Sequence, residues 1–211
     1  MLKRFLSYYK PHKLNFTLDM LSAFLVALIG VTYPIITRYT INDLIPNKDY
    51  LQIILASVIL LALYLARMGL NFFIQYVGHV IGVKMQAQMR TDMFNKLQTL
   101  PFKFYDDNET GKIMSRMTND LMDISELAHH GPETIIISSV SAVLSFIYLS
   151  TINLYMTLII FCCVPFLVTV ATILRKRMRS AFKEGRTAIA EINASLESSI
   201  TGIRVTKSFN K

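Results

Sequence analysis

Leu51 to Leu100 reads LQIILASVILLALYLARMGLNFFIQYVGHVIGVKMQAQMRTDMFNKLQTL. From Leu51 to Val80 it is apolar over more than the ~20 residues needed to cross a ~30 Å hydrocarbon core. Beyond Val80 the pattern changes character but not period. Met85, Met89, Met93, Leu97 and Leu100 recur at spacings of four and three, and no breaker appears before Pro101. One helix over this stretch is about 75 Å long at ~1.5 Å per residue, so it crosses a membrane and projects well beyond it.

The rest of the chain fits that reading. It has 211 residues, 53% hydrophobic and only 17% charged, with a mean hydropathy of +0.42, too apolar for an ordinary soluble domain. Further apolar windows run from Leu14 to Thr37, Thr134 to Ile152 and Leu154 to Leu174. The fold class expected is therefore an all-α, polytopic helical membrane domain with long extensions outside the bilayer. Pro34 and Pro165 fall inside spans and are tolerable there as kinks. Past Arg175, the fourth span also continues: Phe182, Ile189, Leu196 and Ile203 recur every seven residues beside Ile192 and Ile200. That is the seam of a helix packed lengthwise on another, either a free coiled coil or, paired with the first projection, a stalk.

A net charge of +8 raises the question of nucleic acid. The basic residues, however, gather in the N-terminus, the Lys84 to Arg116 region and the Arg175 to Lys211 tail. Arg38 to Tyr50 holds just Arg38 and Lys48, and the turn at Asn153 holds none. By the positive-inside rule both termini and the long middle loop are cytoplasmic, in a multi-pass protein of the plasma membrane, and the nucleic-acid reading is disfavoured. The basic start, MLKRFLSYYKPHKLNF, resembles a signal peptide, but the apolar run continues to Thr37 without a small-residue cleavage site. Residues 1–13, with Phe5, Leu6, Tyr8 and Tyr9 among the lysines, are expected to form a surface helix ended near Pro11, against the lipid bilayer.

Few residues invite chemistry. Cys162 and Cys163 are adjacent in an apolar run and read as small hydrophobes. His129 and His130 raise a metal site, but neighbours on a helix point to different sides and no third ligand lies at a suitable spacing, so none is expected. Arg67 is the basic residue within a span and a default functional candidate. It lies about 24 Å along the helix from Leu51, from where it can snorkel. Arg67, Asn71 and Gln75 are candidate cavity residues, with Tyr64, Phe72 and Tyr76 alongside, and Asp19 is a weaker one.

The polar stretch FYDDNETGKIMSRMTND, Phe104 to Asp120, stands where the first projection must turn back. Pro101 breaks the helix, Asp107 or Asn108 can cap a short new one, and Gly111 allows a neighbouring backbone close. Through Phe104, Tyr105, Gly111, Ser115, Arg116, Asn119 and Asp120 this stretch resembles the first cytoplasmic coupling segment of exporter-type ABC transporters. LESSITGIRVTKSF resembles the second through Glu197, Gly202, Ile203, Val205, Lys207 and Phe209.

The resemblance implies a half-transporter: six spans and a nucleotide-binding domain, working as a homodimer or heterodimer, with ATP and Mg in that domain and a small amphipathic drug, lipid or peptide as substrate. It implies that Tyr105 and Phe209 contact the nucleotide-binding domains. Four spans and no G-x-x-x-x-G-K-[ST] phosphate loop are present, so a fragment without cofactor or catalytic residues is expected. The alternative is a four-span scaffold or interaction module that needs no ATP.

Overall fold

The computed structural model describes residues 2–209. All its regular elements are helical. The chain folds as two units, Met1–Tyr148 and Leu149–Lys211.

In the first unit, α1 (Leu2–Ser7) is followed by a 3-10 turn, Lys10–His12, that holds Pro11. The long helix α2 (Lys13–Tyr39) carries Pro34 in its interior and ends in a π turn, Thr40–Leu44. Lys48, at φ 56°, reverses the chain. Asp49 then caps α3 (Tyr50–Gln98) by accepting from the Gln52 amide. At 49 residues, α3 is about 74 Å long, the single long helix that the methionine and leucine spacing predicts. It stops just before Pro101, whose ring cannot continue a helix and which sits at the N-cap of α4 (Phe102–Asp107). The next helix, α5 (Thr110–Ser115), runs through a π turn, Arg116–Asp120, into α6 (Leu121–Ile152).

The buried face of α2 is Asp19, Ser22, Ala23, Val26 and Ala27, one stripe at helical spacing. It meets Ile74 of α3, with Ile136 and Ile137 of α6 packed against the same cluster. Lower on α3, Ile81, Met85 and Met89 join Leu121 and Ala128 of α6 in a second cluster. Tyr8 and Tyr9 complete that cluster. The Tyr9 hydroxyl donates to the Ala128 carbonyl at 2.6 Å, and the Tyr8 hydroxyl to Asp92 at 2.7 Å. These two tyrosines therefore anchor the N-terminus to α3 and α6, whereas Leu6 stays exposed. Composition alone had grouped all three as lipid-facing; the difference arises because a phenol buried against helices finds acceptors there that lipid lacks.

In the second unit, Asn153 caps α7 (Leu154–Thr201) by accepting from the Met156 amide at 3.1 Å. The helix has 48 residues with Pro165 inside, about 72 Å in length, and Gly202 separates it from α8 (Ile203–Phe209). Phe182, Ile189, Leu196 and Ile203 are all exposed, as are Ile192 and Ile200. α2, α3, the run Thr110–Ile152 and α7 are each long and apolar enough to cross a membrane.

Candidate functional site

The Phe104 to Asp120 stretch is built at the far end of α3. The Tyr105 hydroxyl donates to the Leu97 carbonyl at 2.6 Å, which folds α4 back onto the last turn of α3. Phe104 and Tyr105 meet edge to face at 5.4 Å. Arg90 Nε donates to the Met117 carbonyl at 3.2 Å, tying the π turn to α3. Asn119 Nδ2 approaches Ser115 Oγ at 3.4 Å. Gly111, Ser115, Arg116, Asn119 and Asp120 all remain exposed. The helix after the break starts one to two residues later than the caps proposed from sequence: Glu109 stands at its N-cap, without a side-chain bond, while Asn108 ends α4. A Cβ on Gly111 would meet nothing within 4 Å. The close backbone approach expected there does not occur among the described residues, because α5 leaves its outer face open.

In the second unit, Glu197 lies in the last turns of α7, and Ile203, Lys207 and Phe209 on α8, all exposed. The Gly202 amide donates to the Ser198 carbonyl at 2.9 Å. The Val205 side chain lies outside the described residues.

The three cavity candidates separate along α3. Arg67 and Asn71 line an open groove of about 360 Å³ with Tyr64 and Met68. Gln75 lines another of about 530 Å³ with Phe72, Tyr76 and His79. The Arg67 guanidinium lies over Gly30 of α2, 3.9 Å from where a Cβ would sit. Asp19 is buried, and its Oδ1 has no hydrogen-bond partner.

A constellation missed in the sequence lies between α3 and α6. His79 approaches His129 with ring centroids 4.4 Å apart. His129 is buried, its Nδ1 2.9 Å from the Ser125 carbonyl. Spacing along the chain gives His129 and His130 no third ligand, whereas the fold supplies His79 from another helix. The legible signal was G-x-x-x-G at Gly78 to Gly82, which lets helices approach closely. A Cβ at Gly82 would lie 2.9 Å from Ser125 Oγ and 3.1 Å from His129 Nδ1.

Residues 16–211 match the family model described as the ABC transporter transmembrane region. The chain belongs to that family. It is 39% identical over 209 residues to an uncharacterized ABC transporter ATP-binding protein of Bacillus subtilis, covering 99% of this chain and 36% of that protein. It is 26% identical to an ATP-dependent lipid A-core flippase of Thiobacillus denitrificans, over 97% of this chain and 35% of that one. A putative multidrug export ATP-binding/permease protein of Staphylococcus aureus is 24% identical, over 99% and 37%. The chain thus spans little more than a third of the length of these relatives. Family membership and the four apolar helices make it a multi-pass membrane protein.

Proposed function

We propose that this ABC transmembrane chain is part of an ATP-driven exporter that moves an amphipathic or hydrophobic substrate by alternating access. The names of the flippase and multidrug relatives support export of a lipid or drug-like molecule. The observation that carries the reading is the end of α3: a helix more than twice as long as a bilayer is thick delivers two short helices, tied back through Tyr105 and Arg90, whose family-matching residues other than Phe104 stay exposed. A surface held on a rigid rod is suited to receive a displacement and pass it to the spans. In this proposal the Phe104 to Asp120 segment and the Glu197 to Phe209 segment meet nucleotide-binding domains on the cytoplasmic side of the plasma membrane. Tyr105 and Phe209 are contact residues, and a second half-transporter completes the assembly. ATP and Mg serve in the nucleotide-binding domains. The residues here contribute stiffness and contact rather than phosphate chemistry, and the Arg67–Asn71 groove and Gln75 are the cavity candidates.

The test uses the intact protein in lipid. Arg116→Ala and Gly202→Val are expected to lower substrate-stimulated ATPase activity and transport at least several-fold, while nucleotide binding stays near that of the parent. Normal transport by both variants would remove the coupling assignment.

A further inference from the structure

We propose that His79, His129 and His130 form a binding site for a divalent first-row transition ion of the zinc type, clamping α3 to α6. One ligand atom from each of the three lies within 4.8 Å of the others. The rings stand 4.4, 5.6 and 4.0 Å apart between centroids. A tetrahedral zinc site with Zn–N of about 2.0–2.1 Å brings its nitrogens about 3.4 Å apart, so modest side-chain rotation closes the set.

His129 is held as a ligand would be. A carbonyl only accepts, so the 2.9 Å contact with Ser125 places the proton on Nδ1 and leaves the lone pair on Nε2. That Nε2 is buried and has no hydrogen-bond partner. A backbone carbonyl bound to the other ring nitrogen is the usual support of a metal-ligating imidazole. The seat is specific, because the Gly82 site leaves no room for a Cβ beside this ring and Ser125.

His130 lies between two carboxylates, with Nε2 3.7 Å from Glu126 and Nδ1 3.6 Å from Glu133. Either acid can orient the ring or take a fourth coordination position. His79 is exposed, which leaves an entry path. Three imidazoles suit zinc, nickel or copper, whereas magnesium and calcium prefer all-oxygen sites.

Bound there, the ion joins the helix that descends to α4 and α5 with the helix that returns from them. It therefore stiffens the hairpin that carries the first coupling segment. Binding itself does not depend on the transport reading, so the two can fail separately.

The experiment takes the intact protein, purified without a polyhistidine tag, stripped with a chelator and exchanged into metal-free buffer. Zn2+ is titrated against a chromophoric competitor, and Co2+ reports the coordination geometry by its visible absorption. The parent is expected to bind one Zn2+ per chain that His79→Ala weakens at least tenfold, and His130→Ala likewise. His12→Ala, at the remaining histidine, leaves it unchanged. His79 is exposed, so its variant keeps the fold, checked by an unchanged thermal midpoint without metal, even where His129→Ala does not. Absence of Zn2+ binding by the folded parent, or equal affinity in parent and His79→Ala, overturns the site.

Discussion

The α1–α3–α6 junction and helix α7 are built from similarly apolar sequence and end in opposite conditions. In the junction, Ile81 and Met85 are 1% and 0% exposed, and Tyr8 and Tyr9 reach hydrogen-bond acceptors. On α7, Ile189 and Leu196 are 59% and 54% exposed. Periodicity marks a face that can be buried; it does not name what buries it. The junction is completed by the chain itself, since three elements converge there, whereas the α7 stripe remains open.

The sharpest way to break this contrast is Met85→Ala. A fully buried methionine truncated in a packed junction is expected to cost about 2–5 kcal/mol, read as a lowered thermal midpoint of the intact protein in detergent. Gly82→Ala forces α3 from α6 and is expected to cost about 1–3 kcal/mol. Gly78→Ala serves as its control. A Cβ there meets His129 no closer than 3.5 Å, an ordinary contact, so the same melt should barely move.

Tyr9→Phe removes the bond to Ala128 and leaves a buried carbonyl unpaired, an expected loss of about 1–3 kcal/mol. Burial raises the pKa of Tyr9, and burial followed by the Asp92 hydrogen bond raises that of Tyr8. Raised values mean that the neutral phenols stabilise the fold. That contribution is fully present below the ordinary tyrosine pKa of about 10 and is lost as pH rises beyond it. Release of the N-terminal helix on alkaline titration, followed by a fluorophore attached at Ser7→Cys, checks the sign; release on acidification would reverse it.

The smallest effect should come from α7. Ile189→Ala is expected to change the midpoint by no more than about 0.5 kcal/mol. A loss as large as that of Met85→Ala would show the α7 stripe covered as tightly as the junction, and the contrast would collapse.

The long helices were legible because hydrophobic period and breakers are local. Leu51 to Leu100 was the expected extent of the helix found at Tyr50–Gln98, and Pro101 ended it since a proline stops a helix whatever surrounds it. In the Phe104 to Asp120 stretch the helix break was legible, yet the cap after it was misplaced: Asp107, Asn108 and Glu109 are adjacent polar residues, and backbone path decided among them. Of the histidine cluster, only the Gly78 to Gly82 spacing was legible, which marks a close helix approach without naming what approaches. His79 and His129 are fifty positions apart, and only the helix register brings them together.

What the residues alone determined is the set of rods: which segments are helical, how long they run and where they stop, because each depends on neighbours within a turn or two. What tertiary structure decided is which faces of those rods meet. Tyr8 and Tyr9 turned inward, the Gly78–Gly82 edge received His129, and the α7 stripe stayed open. Contacts between distant helices depend on rotation and register, and no short window of sequence encodes either.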